Sequence, residues 1–178
     1  MRNLKKRLEK IKFIIFDVDG VLTDQGLWYS PNGEISKRFN VKDGLGIKIL
    51  QRYGYEIAFL SGGKKGATEN RAKDLNIKYC LSEVKDKFTT LKKLIGENNF
   101  QSDQVLFVGD DLNDLPVRKI VGIFISTADA NPYLKKHSDI ILSTKGGHGI
   151  VRELLEKYLL PKKIIIELAR DGWKENNF

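Results

Sequence analysis

Cysteine is nearly absent from this 178-residue chain: Cys80 stands alone, so no intramolecular disulfide can form and a packed core must hold the fold. A lone thiol suits a reducing compartment. Proline is scarce too, with four residues scattered along the sequence, and no stretch rich in Pro, Gly or Ser divides it. Residues 1–178 therefore read as one domain. Long hydrophobic runs are missing as well. Stretches such as Phe13–Phe16 and Val105–Gly109 have the length of a buried strand and fall far short of the ~20 residues that cross a bilayer. The N-terminus MRNLKKRLEK is basic but lacks the apolar segment and cleavage site of a secretory signal, which predicts a cytoplasmic protein without membrane association.

What is present is a globular composition, 41% hydrophobic and 30% charged, with 31 Lys and Arg against 23 Asp and Glu. The excess of +8 calls for an acidic partner or an anionic substrate. Nucleic acid is the poorer choice, because the basic residues are dispersed and neither a zinc-ligand cluster nor an aromatic RNA-binding signature accompanies them. Apolar runs recur at 13–19, 56–62, 104–110 and 122–127, each ending in polar residues or glycine. A fifth lies at 139–144 and a shorter one at 79–83. Near-continuous apolar strands separated by helical spacing, as at Leu91, Leu94 and Ile95, predict an α/β fold: an open, mostly parallel, Rossmann-like sheet covered on both faces.

The alternation breaks once. Residues 27–39, LWYSPNGEISKRF, carry two β-prone arms about a Pro-Asn-Gly turn and predict a hairpin within about 25–40. A tail from about 161 to 178 includes KKIIIELARDGW, a last helix that packs on the body or on a neighbour.

Acids mark the strand ends. Asp17 and Asp19 follow the first strand, and Gly109-Asp110-Asp111-Leu112-Asn113-Asp114 follows the strand at 104–110. In open α/β sheets ligands bind beyond the carboxyl ends of the strands, and converging carboxylates there need a cation, for which magnesium is the natural choice. The strand at 56–62 ends in Ser61-Gly62, a hydroxyl beside a residue that lets backbone N–H groups approach an anion. Lys87 begins a further predicted helix.

In this order the acid pair, the Ser of LSG, Lys87 and GDDLND strongly resemble the haloacid dehalogenase superfamily of phosphotransferases. The resemblance implies that Asp17 is the nucleophile and that Asp19 protonates the leaving oxygen and then activates water. It implies magnesium held by Asp17, by the carbonyl of Asp19 and by Asp110. Ser61 and Lys87 would bind the phosphoryl group, with Asp111 and Asp114 in support. Members usually carry a cap domain, and the short stretch from Thr23 to Ser61 leaves no room for one. The hairpin, the segment Arg38 to Ile47 and Lys145-Gly146-Gly147-His148-Gly149 resemble the uncapped branch of 3-deoxy-D-manno-octulosonate 8-phosphate phosphatases, which serve lipopolysaccharide precursor synthesis. That likeness implies contacts to a sugar acid phosphate from Asp19, Asn40, Val41, Lys42, Asp43, Gly44, Lys48, Gly62, Arg71 and Lys87. It also implies a homotetramer in which neighbouring hairpins cover the sites and bury Leu27, Trp28, Tyr29, Ile35 and Phe39. The branch commonly has Arg after the Ser/Thr-Gly pair, where this chain has Gly63. Lys64 is the candidate replacement, without the fork geometry of a guanidinium.

Two other readings share parts of this pattern. A phospho-accepting receiver domain also combines acids, magnesium, a hydroxyl and a lysine, but orders them differently and has no acid-base residue two positions after the accepting Asp. A phosphatase for another sugar acid phosphate, such as a sialic acid 9-phosphate, would share every catalytic residue.

Overall fold

The computed structural model describes residues 2–172. Helix α1 (Arg2–Leu8) leads into β1 (Phe13–Phe16) and an irregular turn over Val18–Leu22. The hairpin strands β2 (Trp28–Tyr29) and β3 (Ile35–Ser36) follow, then α2 (Val41–Arg52), β4 (Glu56–Leu60), α3 (Ala67–Asp74) and β5 (Tyr79–Leu81). The second half runs α4 (Lys87–Glu97), β6 (Val105–Gly109), a 3-10 segment (Leu112–Lys119), β7 (Ile123–Ser126), α5 (Pro132–Lys136) and β8 (Ile140–Ile141). It closes with α6 (Ile150–Leu154), a wide turn (Leu155–Leu159) and α7 (Lys162–Asp171).

Among the described residues, six parallel strands form one sheet in the order β5-β4-β1-β6-β7-β8. The chain builds outward from β1 on one side, then crosses back to β6 and builds outward on the other. The strand order therefore reverses between β1 and β6, where open sheets leave a crevice beyond the carboxyl ends. Phe13–Phe16 pair with Glu56–Phe59 on one side and Val105–Val108 on the other.

Both faces are covered, which is why these strands read as continuous apolar runs rather than alternating ones. Ile14, Phe16, Phe59 and Val108 face α2 and α6, packing with Ile47, Leu50, Val151 and Leu154. Phe13, Ile15, Leu60 and Phe107 face α4, packing with Leu91, Leu94 and Ile95. Alternate residues of one strand thus feed opposite cores.

The strands are shorter than their apolar runs. The largest difference is at 139–144, where only Ile140 and Ile141 pair. Asp139 instead accepts from the Phe124 amide at 2.9 Å and forms ion pairs with Arg7 (2.9 Å) and Arg118 (3.2 Å), so its carboxylate anchors α1 to the edge of the sheet. The hairpin exists but pairs only two residues per arm, Trp28 with Ser36 and Tyr29 with Ile35. Leu27, Trp28 and Tyr29 are exposed, whereas Ile35 and Phe39 are half-buried and Phe39 packs on the chain's own core. In the tail, Ile164, Ile165 and Leu168 of α7 pack on the body, and residues 173–178 lie outside the described residues. No helix among the described residues is long and apolar enough to cross a membrane.

Candidate active site

The chain leaves β1 as the Asp17 amide donates to Val108 O (3.0 Å), which carries the acid past the last strand pair while keeping it buried. The turn that follows needs a glycine: Gly20 has φ +90°, and a Cβ there would run into the Asp110 carboxylate. The backbone of the first acidic loop therefore lies directly against the second. Gln25, beyond this turn, donates to Asp110 Oδ2 at 2.7 Å.

After β6, Asp111 starts the 3-10 segment and accepts from the Leu112 amide at 2.8 Å. Asp114, fully buried, turns back: its Oδ2 accepts from the amides of Asp110 (2.9 Å) and Asp111 (3.3 Å). Lys87, the first residue of α4, reaches across the end of the sheet from below its capping residue Asp86. Its buried Nζ lies 2.6 Å from Asp114 Oδ1 and 2.9 Å from Asp17 Oδ1.

Carboxylate oxygens of Asp17, Asp110 and Asp114 lie within 4.8 Å of one another. Three buried carboxylates around one ammonium leave an excess of negative charge. Burial, reinforced by Asp114, raises Asp17 well above the ordinary carboxylate range, and Lys87 offsets only part of this. Burial and Asp114 likewise push Asp110 up to about 6. Lys87 is raised: burial disfavours its charge, but the pull of Asp17 and Asp114 outweighs it. Hard oxygen donors, buried and short of positive charge, fit a divalent cation such as magnesium. Asp114 already spends both oxygens on Lys87 and the loop amides, so Asp17 and Asp110 are the freer pair.

Asp19 points the other way, toward β4. Its Oδ2 accepts from Ser61 Oγ (3.3 Å) and from Nζ of Lys37 (2.9 Å), the residue that follows the second hairpin arm. Ser61 Oγ also accepts from the Gly63 amide at 3.0 Å. Asp17, Asp19, Gln25, Gly62, Gly63, Lys87, Asp110, Asp111 and Asn113 together line one open crevice.

The residues expected to contact a sugar acid divide. Asn40 caps α2, accepting from the Lys42 amide (2.8 Å) and donating to Gly147 O (3.1 Å), so it ties α2 to the glycine-rich loop. Arg71 Nη2 donates to Asn40 O (3.3 Å) and its guanidinium lies against Gly44 and over the Phe39 ring. Val41 and Lys42 are exposed, Val41 at 83%, and Lys48 is half-buried. Two of these residues have other surroundings. Asp43 is buried and caps α6, accepting from the amides of Gly149 (3.1 Å) and Val151 (2.8 Å). Burial pushes its carboxyl up to about 6 against the pull of those amides. Lys64 lines a second crevice with Gly33 to Lys37 and does not line the acidic one. Sequence reasoning missed Lys37 and Gln25. Neither stands in a recognisable motif, and Lys37 is one basic residue among 31.

This sheet order, with acids at the ends of β1 and β6, corresponds to the class that the sequence matches over residues 80–154, the haloacid dehalogenase-like hydrolases. The chain is 41% identical over 156 residues, 88% of its own length and 87% of the relative's, to the 3-deoxy-D-manno-octulosonate 8-phosphate phosphatase of Haemophilus influenzae. A crystal structure of the Moraxella catarrhalis phosphatase in complex with magnesium, phosphate and a KDO molecule superposes with a TM-score of 0.88 at 30% identity, covering 97% of this chain and 99% of that one. The cobalt-bound form of the H. influenzae phosphatase superposes with a TM-score of 0.81 at 42% identity, covering 84% and 88%. The chain belongs to the 3-deoxy-D-manno-octulosonate 8-phosphate phosphatase family of the haloacid dehalogenase-like hydrolases.

Proposed function

We propose that this chain is a magnesium-dependent phosphomonoesterase that hydrolyses 3-deoxy-D-manno-octulosonate 8-phosphate. The observation that carries the reading is the convergence of Asp17, Asp110 and Asp114 on Lys87 at the crevice where the strand order reverses. Asp17 attacks phosphorus, forming an acyl phosphate as the ester P–O bond breaks, and the departing alkoxide takes a proton from Asp19. Asp19 then accepts a proton from water as its oxygen attacks the same phosphorus, which frees phosphate and regenerates the Asp17 carboxylate. Lys87 and Ser61 hold the phosphoryl oxygens and offset their charge. Asp17, Asp110 and the carbonyl of Asp19 would hold magnesium, which would supply the remaining positive charge against which two anions can meet. Asp111 and Asp114 brace the loop.

The sugar acid would lie toward Asn40, Gly44, Lys48 and Arg71, with Gly62 beside the phosphoryl group. The reading extends to a homotetramer that covers the exposed Leu27, Trp28 and Tyr29, to a cytoplasmic setting, and to lipopolysaccharide precursor synthesis. The deciding experiment is phosphate release from this substrate with and without magnesium, beside other sugar phosphates and a sialic acid 9-phosphate. Fast, selective, magnesium-dependent release is expected. Equal rates across the panel overturn the substrate assignment, and faster release from the 9-phosphate transfers it. Asp110→Asn should raise the magnesium concentration needed for half-maximal rate and be restored in part by excess metal.

A further inference from the structure

One ion pair in the crevice has no part in the reaction scheme above. Lys37 follows the second hairpin arm, and its side chain is 3% exposed. Its Nζ lies 2.8 Å from Asp19 Oδ1 and 2.9 Å from Oδ2, with Thr68 Oγ1 at 3.3 Å as a further acceptor. A buried ammonium requires a compensating anion, and Asp19 provides it. Asp19, by contrast, keeps about a third of its side chain in contact with solvent, so without Lys37 it is the longer 3.3 Å bond from Ser61 Oγ that opposes its turning outward.

A second observation concerns residue 63. A Cβ on Gly63 would lie 2.6 Å from Asp19 Oδ2, 2.8 Å from Lys37 Nζ and 3.2 Å from Ser61 Oγ. The glycine is there for space, since its φ is not in the left-handed region. A side chain at this position would press on the ends of both members of the pair and shift them. The hairpin arm that delivers Lys37 is itself pinned to the first acidic loop: Arg38 donates to Asp24 Oδ2 through Nε (2.9 Å) and Nη2 (2.5 Å), and Thr23 bridges Phe39.

We propose that Lys37 is a positioning residue, which holds the Asp19 carboxyl group where it can pass its proton to the leaving oxygen, and that Gly63 keeps open the space this pair needs. The inference rests on the phosphomonoesterase reading. A group that donates a proton to the leaving oxygen matters most when that oxygen is a strong base and least when it leaves readily as an anion.

The test uses phenyl phosphate esters of graded leaving-group basicity, which keep the bound shape nearly constant. In kcat/KM, which reports steps up to departure of the alcohol, Lys37→Met should cost about tenfold or more with phenyl phosphate but under about threefold with p-nitrophenyl phosphate. Lys37→Arg should restore part of the loss. Gly63→Ala, which retains both charges, should show the same steepened dependence, and the double variant should be no worse than either single one. Equal losses along the series, or none, in an active and folded Lys37→Met protein overturn the inference and leave the phosphatase reading intact. If Lys37→Met does not fold, an unaltered dependence in Gly63→Ala overturns it. A parent protein that with magnesium releases phosphate neither from these esters nor from 3-deoxy-D-manno-octulosonate 8-phosphate overturns the phosphatase reading, and the inference with it.

Discussion

Asp17 and Asp19 stand two residues apart at the end of β1, yet their surroundings are opposite. Asp17 is buried with Asp110, Asp114 and Lys87, all delivered by strand ends or helix starts of the sheet itself. Asp19 is partly exposed and is met by Lys37 from a hairpin with two residues per paired arm. The first cluster has more negative than positive charge and is held by backbone amides, so its geometry is set in advance and its charge imbalance suits a cation. The second is a single ion pair at the rim, positioned by a surface element. The proposed nucleophile and the proposed proton donor are thereby supported by independent parts of the fold.

The largest effect should come from the buried side. Asp17→Asn removes the proposed nucleophile and should reduce phosphate release by about a thousandfold or more, while the thermal midpoint does not fall, because a crowded buried charge is lost with it. A variant with lost stability and retained turnover would reverse the comparison. Lys87→Met should be next: without divalent metal it strands three buried carboxylates and should cost about 3 kcal/mol at pH 7 in urea unfolding, partly regained on adding magnesium. Lys37→Met should cost less in the same assay, since Asp19 can return to water.

A smaller effect separates Asp43 from both clusters. Its carboxyl is raised from 3.8 to about 6 by burial, against the opposing amides of Val151 and Gly149 and the charges of Arg71 and His148. The folded state thus binds this proton more tightly than the unfolded chain. Its contribution to stability is fully present below about pH 4 and is lost as the pH rises through about 6. Asp43→Asn should reduce the difference in unfolding free energy between pH 4 and pH 7 by about 2 kcal/mol relative to the parent. The smallest change should come from Arg38→Ala. The pair with Asp24 is largely exposed, so its loss should cost under about 1 kcal/mol, and less in high salt.

Much of the sheet was legible because a strand covered on both faces must be apolar at every position. The runs at 13, 56, 104 and 122 could be read as strands for that reason, and their polar ends marked the crevice. Local pattern failed where a side chain found a distant use. Asp139 looked like the start of a strand and instead binds two arginines from elsewhere in the chain. Asp43 was read only through the resemblance of the segment Asn40 to Gly44, which gives no sign that the amides of a helix more than a hundred residues later hold its carboxylate. Nearness in sequence pointed to Lys64 and gave no sign of Lys37, whose ammonium lies beside Asp19 and Gly63.

The amino-acid sequence alone determined the α/β class, the parallel strands and the acids, hydroxyl and lysine at their carboxyl ends, because periodicity and strand-end chemistry are local properties. Tertiary structure alone decided which charges meet. Burial makes Asp114 a brace and Asp43 a helix cap, and it draws Lys37 out of 31 basic residues to the side of Asp19. An ion pair out of water depends on distances of about 3 Å across separate elements, and no spacing along the chain records those.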